Sequence, residues 1–173
     1  MSDQDIIRFA QNEDLSAVSR LLGETWHATY DRVLGPERLN EITGRWHSVQ
    51  NLLHGLDRGN GVFLVSVRGG AIVGTASAAL DTMRTGVDLL RLYVHPQHQG
   101  CGLGAALFRA MLEHFPAAST MSLEVEPTNQ RAIKFYERLG FVVRGKVSDC
   151  GGSGDQLPAL KMVRNLSPSD SAV

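Results

Sequence analysis

The stretch LLRLYVHPQHQGCGLG, residues 89–104, contains the features that decide the fold of this 173-residue chain. Its apolar run ends at Val94 and predicts a buried strand. Residues 95–99 then lead into alternating glycines at 100–104, and an apolar helix is predicted from there to residue 115. Glycine tolerates positive φ and lets a ligand approach the backbone, while a helix N-terminus offers unpaired N–H groups and partial positive charge. The stretch therefore predicts a strand, a phosphate-binding loop and a helix in succession.

Two other kinds of phosphate site compete for the same loop. Residues 100–105 fit the dinucleotide pattern G-x-G-x-x-G/A, and Glu124 lies close to 20 residues further on, as in NAD-type sites. Against this, residues 95–99 delay the turn, whereas the dinucleotide loop leaves its strand almost at once. A Walker-type loop is excluded, because no Lys-Ser or Lys-Thr pair follows the glycines. A dinucleotide-binding regulatory module therefore stays open as an alternative function.

Upstream of this loop, the sequence predicts strands and helices in a mixed order. An apolar run at 6–9 precedes a helix that begins after the capping-type residue Asn12. Pro36 suits the first turn of a second helical region, which reaches to residue 53. Two strand patterns, 62–67 and 71–80, are joined by a compact glycine turn and predict a β-hairpin. A further strand is predicted at 87–94.

Downstream of the loop, the pattern continues with a strand at 121–125 and a helix at 129–139, which Gly140 ends at its C′ position. Two last strand patterns, 141–146 and 157–163, flank a predicted mobile loop at 149–154. We therefore predict an α/β fold with a mainly antiparallel sheet, a central parallel β-α-β unit over 87–125 and flanking helices. We expect residues 1–166 to form a single domain and residues 167–173 a flexible tail.

Composition is ordinary for one soluble domain and excludes several classes of protein. The 17 basic and 18 acidic residues give a net charge of −1, which removes the electrostatic case for a general nucleic-acid binder. No apolar run approaches the ~20 residues of a membrane span, and the acidic residues 1–5 lack the layout of a signal peptide. The two cysteines match no disulfide framework or zinc spacing. We expect a cytoplasmic protein with no nucleic-acid or membrane partner.

Two motifs together resemble the GNAT superfamily of N-acetyltransferases. The strand that ends in V-x-P and continues as Q-x-x-G-x-G is similar to the family's core motif, with Gln99, Gly102 and Gly104 at its defining positions. Residues 129–141, NQRAIKFYERLGF, are similar to the family string N-x-x-A-x-x-F-Y-E-x-x-G-F. The motifs have the family's order and separation. The resemblance implies an acyl-CoA N-acyltransferase fold and transfer of an acetyl group from acetyl-CoA directly to a primary amine of a small molecule or peptide.

The resemblance also implies roles for individual residues. The backbone at Leu92 and Val94 would pair with the pantetheine arm, amides from Gln99 onward would hold the pyrophosphate, and Asn129 would contact pantetheine. Tyr136 matches the family tyrosine that protonates the departing thiolate. The implied cofactor-binding residues are Leu92, Tyr93, Val94, Gln99, Gly100, Cys101, Gly102, Leu103, Gly104, Ala105, Asn129, Phe135 and Tyr136. Family analogy further implies a homodimer.

The chemistry of direct transfer needs a neutral amine, a polarised carbonyl and a stabilised thiolate. The backbone N–H of Val94 could polarise the carbonyl, and Tyr136, with an ordinary pKa near 10, can donate a proton to sulfur. Tyr136 also falls on one apolar helical face with Ala132, Phe135 and Leu139, so packing explains it as well. Asn129 suits a helix N-cap, a role compatible with ligand contact. A GNAT fold that binds acyl-CoA without turnover is therefore a further alternative.

The general base and the acceptor site are less specified by the sequence. Asp88 lies near the place where many GNAT enzymes have a glutamate that acts through water, and Glu124 and Glu126 are equal candidates. For the acceptor, the resemblance nominates the cluster at the end of the first helix: Trp26, His27, Tyr30 and Asp31. Core packing explains Trp26 equally well. The pair His95 and His98 lacks a third metal ligand nearby, so we predict no metal site, and Cys101 is interpreted as a passive small residue.

Overall fold

The structure is a computed structural model that describes residues 5–83 and 85–167. The described chain forms a seven-stranded sheet with the order β1-β2-β3-β4-β5-β7-β6, together with five α-helices among its described residues. It divides into two compact units. The first contains the described residues up to Ala79 and Leu90–His114, and the second contains Leu80–Leu89 and the described residues from Phe115 onward. The single domain expected over 1–166 stays a prediction, and the expected tail lies outside the described residues from 168 on.

The first unit contains three strands, four helices and the end of a further strand. The β1–β2 pair is antiparallel, from Ile6 opposite Val67 to Phe9 opposite Leu64, and β2 and β3 form the predicted hairpin. At its turn Gly69 and Gly70 both have positive φ, which a tight hairpin turn requires. The elements are β1 (Ile6–Phe9), α1 (Leu15–Leu34), α2 (Pro36–Trp46), α3 (Val49–Leu56), β2 (Gly61–Arg68), β3 (Ala71–Leu80), β4 (Gly86–Val94) and α4 (Leu103–Leu112). The part of β4 that belongs to this unit begins at Leu90.

The core of the first unit lies where α1 and α3 pack against β2. The half-buried ring of Tyr93 packs against this core. The buried members are apolar side chains at helical and strand spacing: Ala10, Leu15, Val18, Leu22, Leu52, Phe63 and Val65. Helix α4 approaches the sheet at Gly74, where a Cβ atom would lie 2.9 Å from a methyl group of Leu107. A side chain at this position would force Leu107 to move, so glycine favours the close approach of α4 to the sheet.

Two helix boundaries differ from the sequence prediction. The continuous helical region expected from Pro36 to residue 53 is wrong, because the first helix ends at Trp46 and a separate helix begins at Val49. Ser48 caps the second helix, and its hydroxyl accepts from the amide of Asn51 at 3.2 Å. The cap expected at Asn12 is also wrong. That residue lies within a 3₁₀ turn, and the Asp14 carboxylate accepts from the amide of Gln11 at 2.8 Å instead.

The second unit contains the parallel strand pair that the sequence predicted. The start of β4 pairs with β5 (Thr120–Val125), from Gly86 opposite Thr120 to Asp88 opposite Ser122. Strand β5 is antiparallel to β7 (Ala159–Asn165), and β7 is antiparallel to β6 (Val142–Val147). The remaining element is α5 (Gln130–Arg138), and Gly140 follows it with φ +87°, as expected of a C′ glycine. The mixed α/β fold with a central parallel unit is therefore confirmed.

Candidate functional site

The glycine loop of the first unit is tied to the end of β4. The amide of His95 donates to the carbonyl of Val73 at 2.9 Å, and residues Pro96–His98 form a 3₁₀ turn. The Gln99 side chain then reaches back, and its Nε2 donates to the carbonyl of Val94 at 2.8 Å. This contact fixes where the loop leaves the strand, and it explains why a glutamine suits this position of the motif.

The backbone amides of this loop are uncommitted. Gly100 and Gly102 have φ near +85°, with no atom near the place that a Cβ would take. Within the described residues, no amide from 100 to 105 donates a hydrogen bond, whereas the amide of Ala106 donates to the carbonyl of Gly102 at 3.0 Å. The amide of Gln99 makes only a long contact, 3.4 Å, with the carbonyl of Pro96. Six consecutive donors at the positive end of α4 are therefore available to an anion.

The end of β4 carries the residues expected to line the acyl donor. Val94 is buried, and Leu92 and Tyr93 are half-buried. The parallel pairing with β5 involves residues Gly86, Val87 and Asp88, the first three of the strand. Roles for Leu92, Tyr93 and Val94 in cofactor binding remain predictions.

Helix α5 of the second unit positions the second motif. The Asn129 side chain accepts from the amide of Ala132 at 3.1 Å, so it caps the helix as expected. The ring of Tyr136 is half-buried, with the rings of Phe135 and Phe141 at 5.4 and 5.7 Å in edge-on contact. These contacts hold the phenol ring in a defined orientation, so packing and proton donation are compatible roles for Tyr136.

The candidate bases are carboxylates of the second unit that lie on β4, on β5 or just after β5. Asp88 is exposed and accepts from the Ser122 hydroxyl at 2.6 Å. Glu124 is exposed and accepts from the amide of Gly151 at 2.7 Å. Glu126 accepts from the amide of Thr128 at 2.8 Å.

The expected acceptor residues separate into two groups. Trp26 is buried at the centre of an aromatic cluster, with the rings of Tyr30, Trp46 and His47 at 5.2, 5.4 and 5.2 Å. His27 is engaged elsewhere, because its Nδ1 lies 2.7 Å from Asp31 and its Nε2 lies 3.0 Å from Asn40. The structure therefore brings Trp26 and Tyr30 together, while His27 joins α1 to α2.

Two residues that the sequence reading missed lie beside this cluster. His47 is 4% exposed, and burial, assisted by the charge of Arg91 and opposed by the Trp46 backbone, lowers its pKa to about 3. Burial also lowers the pKa of Arg91, whose Nη1 lies 3.5 Å from the Ser77 hydroxyl. One signal for Arg91 was available, since alternation along a strand places it on the same face as Leu89 and Tyr93.

The cysteines and histidines of the loops have local partners. The exposed Cys101 thiol donates to the carbonyl of His98 at 2.9 Å. Burial and the carboxylate of Glu124 raise the pKa of Cys150 to about 12. His95 lies 3.2 Å from a carboxylate oxygen of Glu24. Among the residues that the structure describes, no group of three or more His, Cys, Asp or Glu side chains could hold a metal ion.

The two motifs lie within the range of one family match. The acetyltransferase (GNAT) family matches residues 17–141, which include both motifs and the aromatic cluster. The chain belongs to this family.

Known relatives carry acyltransferase names. The L-amino acid N-acyltransferase MnaT of Escherichia coli is 29% identical over 154 residues, which cover 84% of this chain and 84% of the relative. The L-methionine sulfoximine/L-methionine sulfone acetyltransferase of Salmonella typhimurium matches at the same 29% identity and the same 84% coverage of each chain. The protein is accordingly a GNAT acetyltransferase.

Solved structures show the same fold. The PaiA N-acetyltransferase of Thermoplasma acidophilum, in complex with coenzyme A, matches with a TM-score of 0.82 at 21% identity and covers 94% of this chain and 99% of its own. The protein YncA of Salmonella typhimurium, with its cofactor acetyl-CoA, matches with a TM-score of 0.64 at 24% identity and 94% coverage of each chain. In the described residues of the present chain, no helix is long and apolar enough to cross a bilayer.

Proposed function

We propose that the protein transfers the acetyl group of acetyl-CoA directly to a primary amine of a small molecule or peptide. The observation that carries the proposal is the run of six uncommitted amides, 100–105, at the start of α4. They occupy the family's core motif and suit a pyrophosphate, whose oxygens accept hydrogen bonds from backbone amides. The named relatives act on L-amino acids and, in the case of the peptidyl-lysine N-acetyltransferase YjaB of Escherichia coli, on peptidyl-lysine, which supports an amine acceptor of either kind.

The acyl donor supplies an activated thioester, and the chain positions it. We assign the pyrophosphate to the amides of 99–105 and the pantetheine arm to the backbone of Leu92 and Val94 and the side chain of Asn129. The capping role of Asn129 uses its Oδ1, which accepts from the amide of Ala132. The further members of this proposed binding set are Tyr93, Phe135 and Tyr136.

The proposed reaction is a single acyl transfer. The amine nitrogen bonds to the acetyl carbon, the carbon–sulfur bond breaks, and the sulfur takes the electron pair and then a proton from Tyr136. The proton lost by the amine passes through water to Asp88 or Glu124, both exposed carboxylates at the ends of paired strands. The backbone N–H of Val94 is the proposed donor to the carbonyl oxygen.

The first test separates the proposed donor from the alternatives. Calorimetry should show coenzyme A binding and no NAD(H) binding. NAD(H) binding in the absence of coenzyme A binding would establish the dinucleotide module instead. Coenzyme A binding without thiol release over a broad panel of primary amines would leave a non-catalytic acyl-CoA-binding fold.

The second test addresses Tyr136. Tyr136→Phe keeps the ring that packs against Phe135 and Phe141 but removes the hydroxyl, so we expect kcat to fall on the order of 10²-fold and its pH dependence to change. Lys134→Gln, an exposed position on the same helix, is the matched control. An unchanged kcat and pH profile in Tyr136→Phe would remove this residue from the mechanism.

A cytoplasmic location and a homodimer belong to the proposal, and both rest on family analogy and composition. Light scattering of the purified chain tests the dimer. A single species with the mass of one chain, at concentrations that support turnover, would exclude it.

A further inference from the structure

Buried polar atoms without partners are concentrated at one place in the first unit. Four buried side-chain atoms in the described residues lack a hydrogen bond of good geometry, and three of them belong to neighbouring rings: Nε1 of Trp26 and both ring nitrogens of His47. The Trp46 backbone lies near the His47 ring and acts to raise its pKa, so the indole Nε1 is the clearer unsatisfied atom. The two rings are 5.2 Å apart. Native proteins leave few such atoms unsatisfied, and each one calls for an explanation, such as a group that binds there.

Arg91 adds a positive charge that acts on His47. Among the described residues, no carboxylate forms an ion pair with its guanidinium, and the Ser77 hydroxyl at 3.5 Å is a long contact. Tyr93 acts to raise the pKa of this guanidinium and the nearby charge of Arg58 acts to lower it, so a second positive charge is close to the site. A methyl group at Gly55 would lie 3.6 Å from Nη1, so glycine leaves space next to the cation. The Arg91 side chain is half-buried, and cations removed from water are ordinarily paired with an anion.

Arg91 and the two rings act on one another. The charge of Arg91 disfavours protonation of His47, and the Tyr93 ring lies 6.3 Å from the His47 ring. We call Trp26, His47, Arg91 and Tyr93 the α1–β4 cluster. Its groups include the five N–H donors of arginine and the N–H donors of an indole and a neutral imidazole, with one imidazole nitrogen as an acceptor.

This donor surplus identifies the complementary ligand. A carboxylate has acceptor atoms only, and its two oxygens match the planar fork of arginine. Arg91 is the only cation among the four residues of the cluster, and its charge matches the single negative charge of a carboxylate. The neutral imidazole adds a hydrogen-bond donor without adding a second charge.

We propose that the α1–β4 cluster binds a carboxylate of the acceptor, so that the acceptor is an amino acid and not a simple amine. The inference rests on the proposed function, because it concerns the acceptor of that reaction. Arg91 is the residue that makes the ion pair, and Trp26 supplies a second donor from the indole Nε1. The acceptor side chain is left to the experiment.

The test compares acids with their amides by calorimetry, in protein saturated with coenzyme A. The probes are the N-acetyl derivatives of alanine, leucine, methionine, phenylalanine and glutamine, each with its carboxamide counterpart. We expect at least one acid to bind ten-fold or more tightly than its amide. Arg91→Gln should remove this preference, Arg91→Lys should retain part of it, and Arg20→Gln, at an exposed position of α1, should leave it unchanged.

The outcomes distinguish the inference from the proposed function. Equal affinity for acids and amides, absence of binding by every acid, or a preference that survives in Arg91→Gln overturns the carboxylate site. A wild-type chain that binds no coenzyme A overturns the proposed function instead. If Arg91→Gln fails to fold by circular dichroism, the acid-to-amide ratio in Arg91→Lys decides, since loss of the fork should reduce the preference and an unchanged ratio overturns the assignment.

Discussion

Two glycine-rich loops of this chain have similar sequences and opposite hydrogen bonding. Residues 100–104, GCGLG, and residues 150–154, CGGSG, each place a cysteine among glycines with positive φ. In the first loop, no amide from 100 to 105 donates to another described residue. In the second, the Asp149 carboxylate accepts from the amide of Gly154 at 2.5 Å, and the Glu124 carboxylate accepts from the amide of Gly151 at 2.7 Å.

The difference shows that glycine content does not by itself predict an anion site. The second loop contains its own anion, since Asp149 fills the position that a ligand would take, and the amide of Gly154 is the main cause of the lowered pKa of Asp149. The first loop has comparable backbone freedom, and none of the described residues accepts a hydrogen bond from its amides. The commitment of the amides, and not the number of glycines, therefore decides which loop can bind a phosphate group.

The largest expected effect concerns the two cysteines. Burial and Glu124 raise the pKa of Cys150 from its ordinary 9.0 to about 12, which lowers its thiolate fraction near neutral pH about 10³-fold. Cys101 is exposed. We expect iodoacetamide to label the exposed Cys101 first and Cys150 about 10³-fold more slowly than a thiol of ordinary pKa, as measured by peptide mass spectrometry.

Glu124→Gln sharpens this comparison. It removes the charge that helps to raise the pKa of Cys150, so labelling of Cys150 should become faster, while Glu126→Gln should have no such effect. Equal labelling rates for the two cysteines in the wild-type chain would contradict the difference between the loops.

The next effect concerns coenzyme A affinity. Gly102→Ala and Gly151→Ala introduce the same methyl group at φ +87° and +63°, where no neighbouring atom would clash. Each should cost about 1–2 kcal/mol of backbone strain. We expect Gly102→Ala to weaken coenzyme A binding about ten-fold or more, because the amides turn away from their required directions, and Gly151→Ala to leave it unchanged. Calorimetry measures both.

Gly23→Ala is the matched control, since Gly23 lies within α1, where the structure gives it space and no positive φ. If Gly151→Ala weakens binding as strongly as Gly102→Ala, the two loops do not differ in function.

The sequence predicted the local parts of this comparison and missed the long-range parts. The glycine loop, the hairpin turn at Gly69 and Gly70 and the cap at Asn129 follow from signals within a few residues, so they were accessible. The contact between Glu124 and Gly151 joins residues 27 positions apart, and only tertiary structure creates it. The environment of His47 and Arg91 was hidden for the same reason, because burial depends on which elements pack together.

A smaller effect concerns a side chain, the buried imidazole of His47, and the pH dependence of the free energy of unfolding. His47 has an ordinary pKa of 6.5 and a folded pKa of about 3, so between these values the unfolded chain binds a proton that the folded chain does not. The free energy of unfolding should therefore fall as pH decreases from about 6.5, by up to about 1.4 kcal/mol per pH unit. Urea unfolding between pH 7 and 4.5 measures this, and His47→Phe should flatten the dependence.

Aspartates cannot account for that slope. Asp5 and Asp14 have pKa values below 3.8 through their pairing with Arg68 and Arg8, so their contributions are lost only at more acidic pH. A dependence that is as steep in His47→Phe as in the wild-type chain would show that His47 is not the group responsible.

The smallest effect concerns the anion within the second loop. Since the pKa of Asp149 is lowered in the folded chain, its contribution to stability is present above the ordinary value of 3.8 and is lost as pH falls through the lower folded value. Amide hydrogen exchange at Gly154 should therefore accelerate in acid relative to the exchange of a model peptide, and Asp149→Asn should weaken its protection already at neutral pH. In the same variant, protection of residues 100–105 should stay as low as in the wild-type chain, because their amides have no internal acceptor. Strong protection of those amides in the unliganded chain would mean that the first loop is closed like the second, and the phosphate assignment would fail with it.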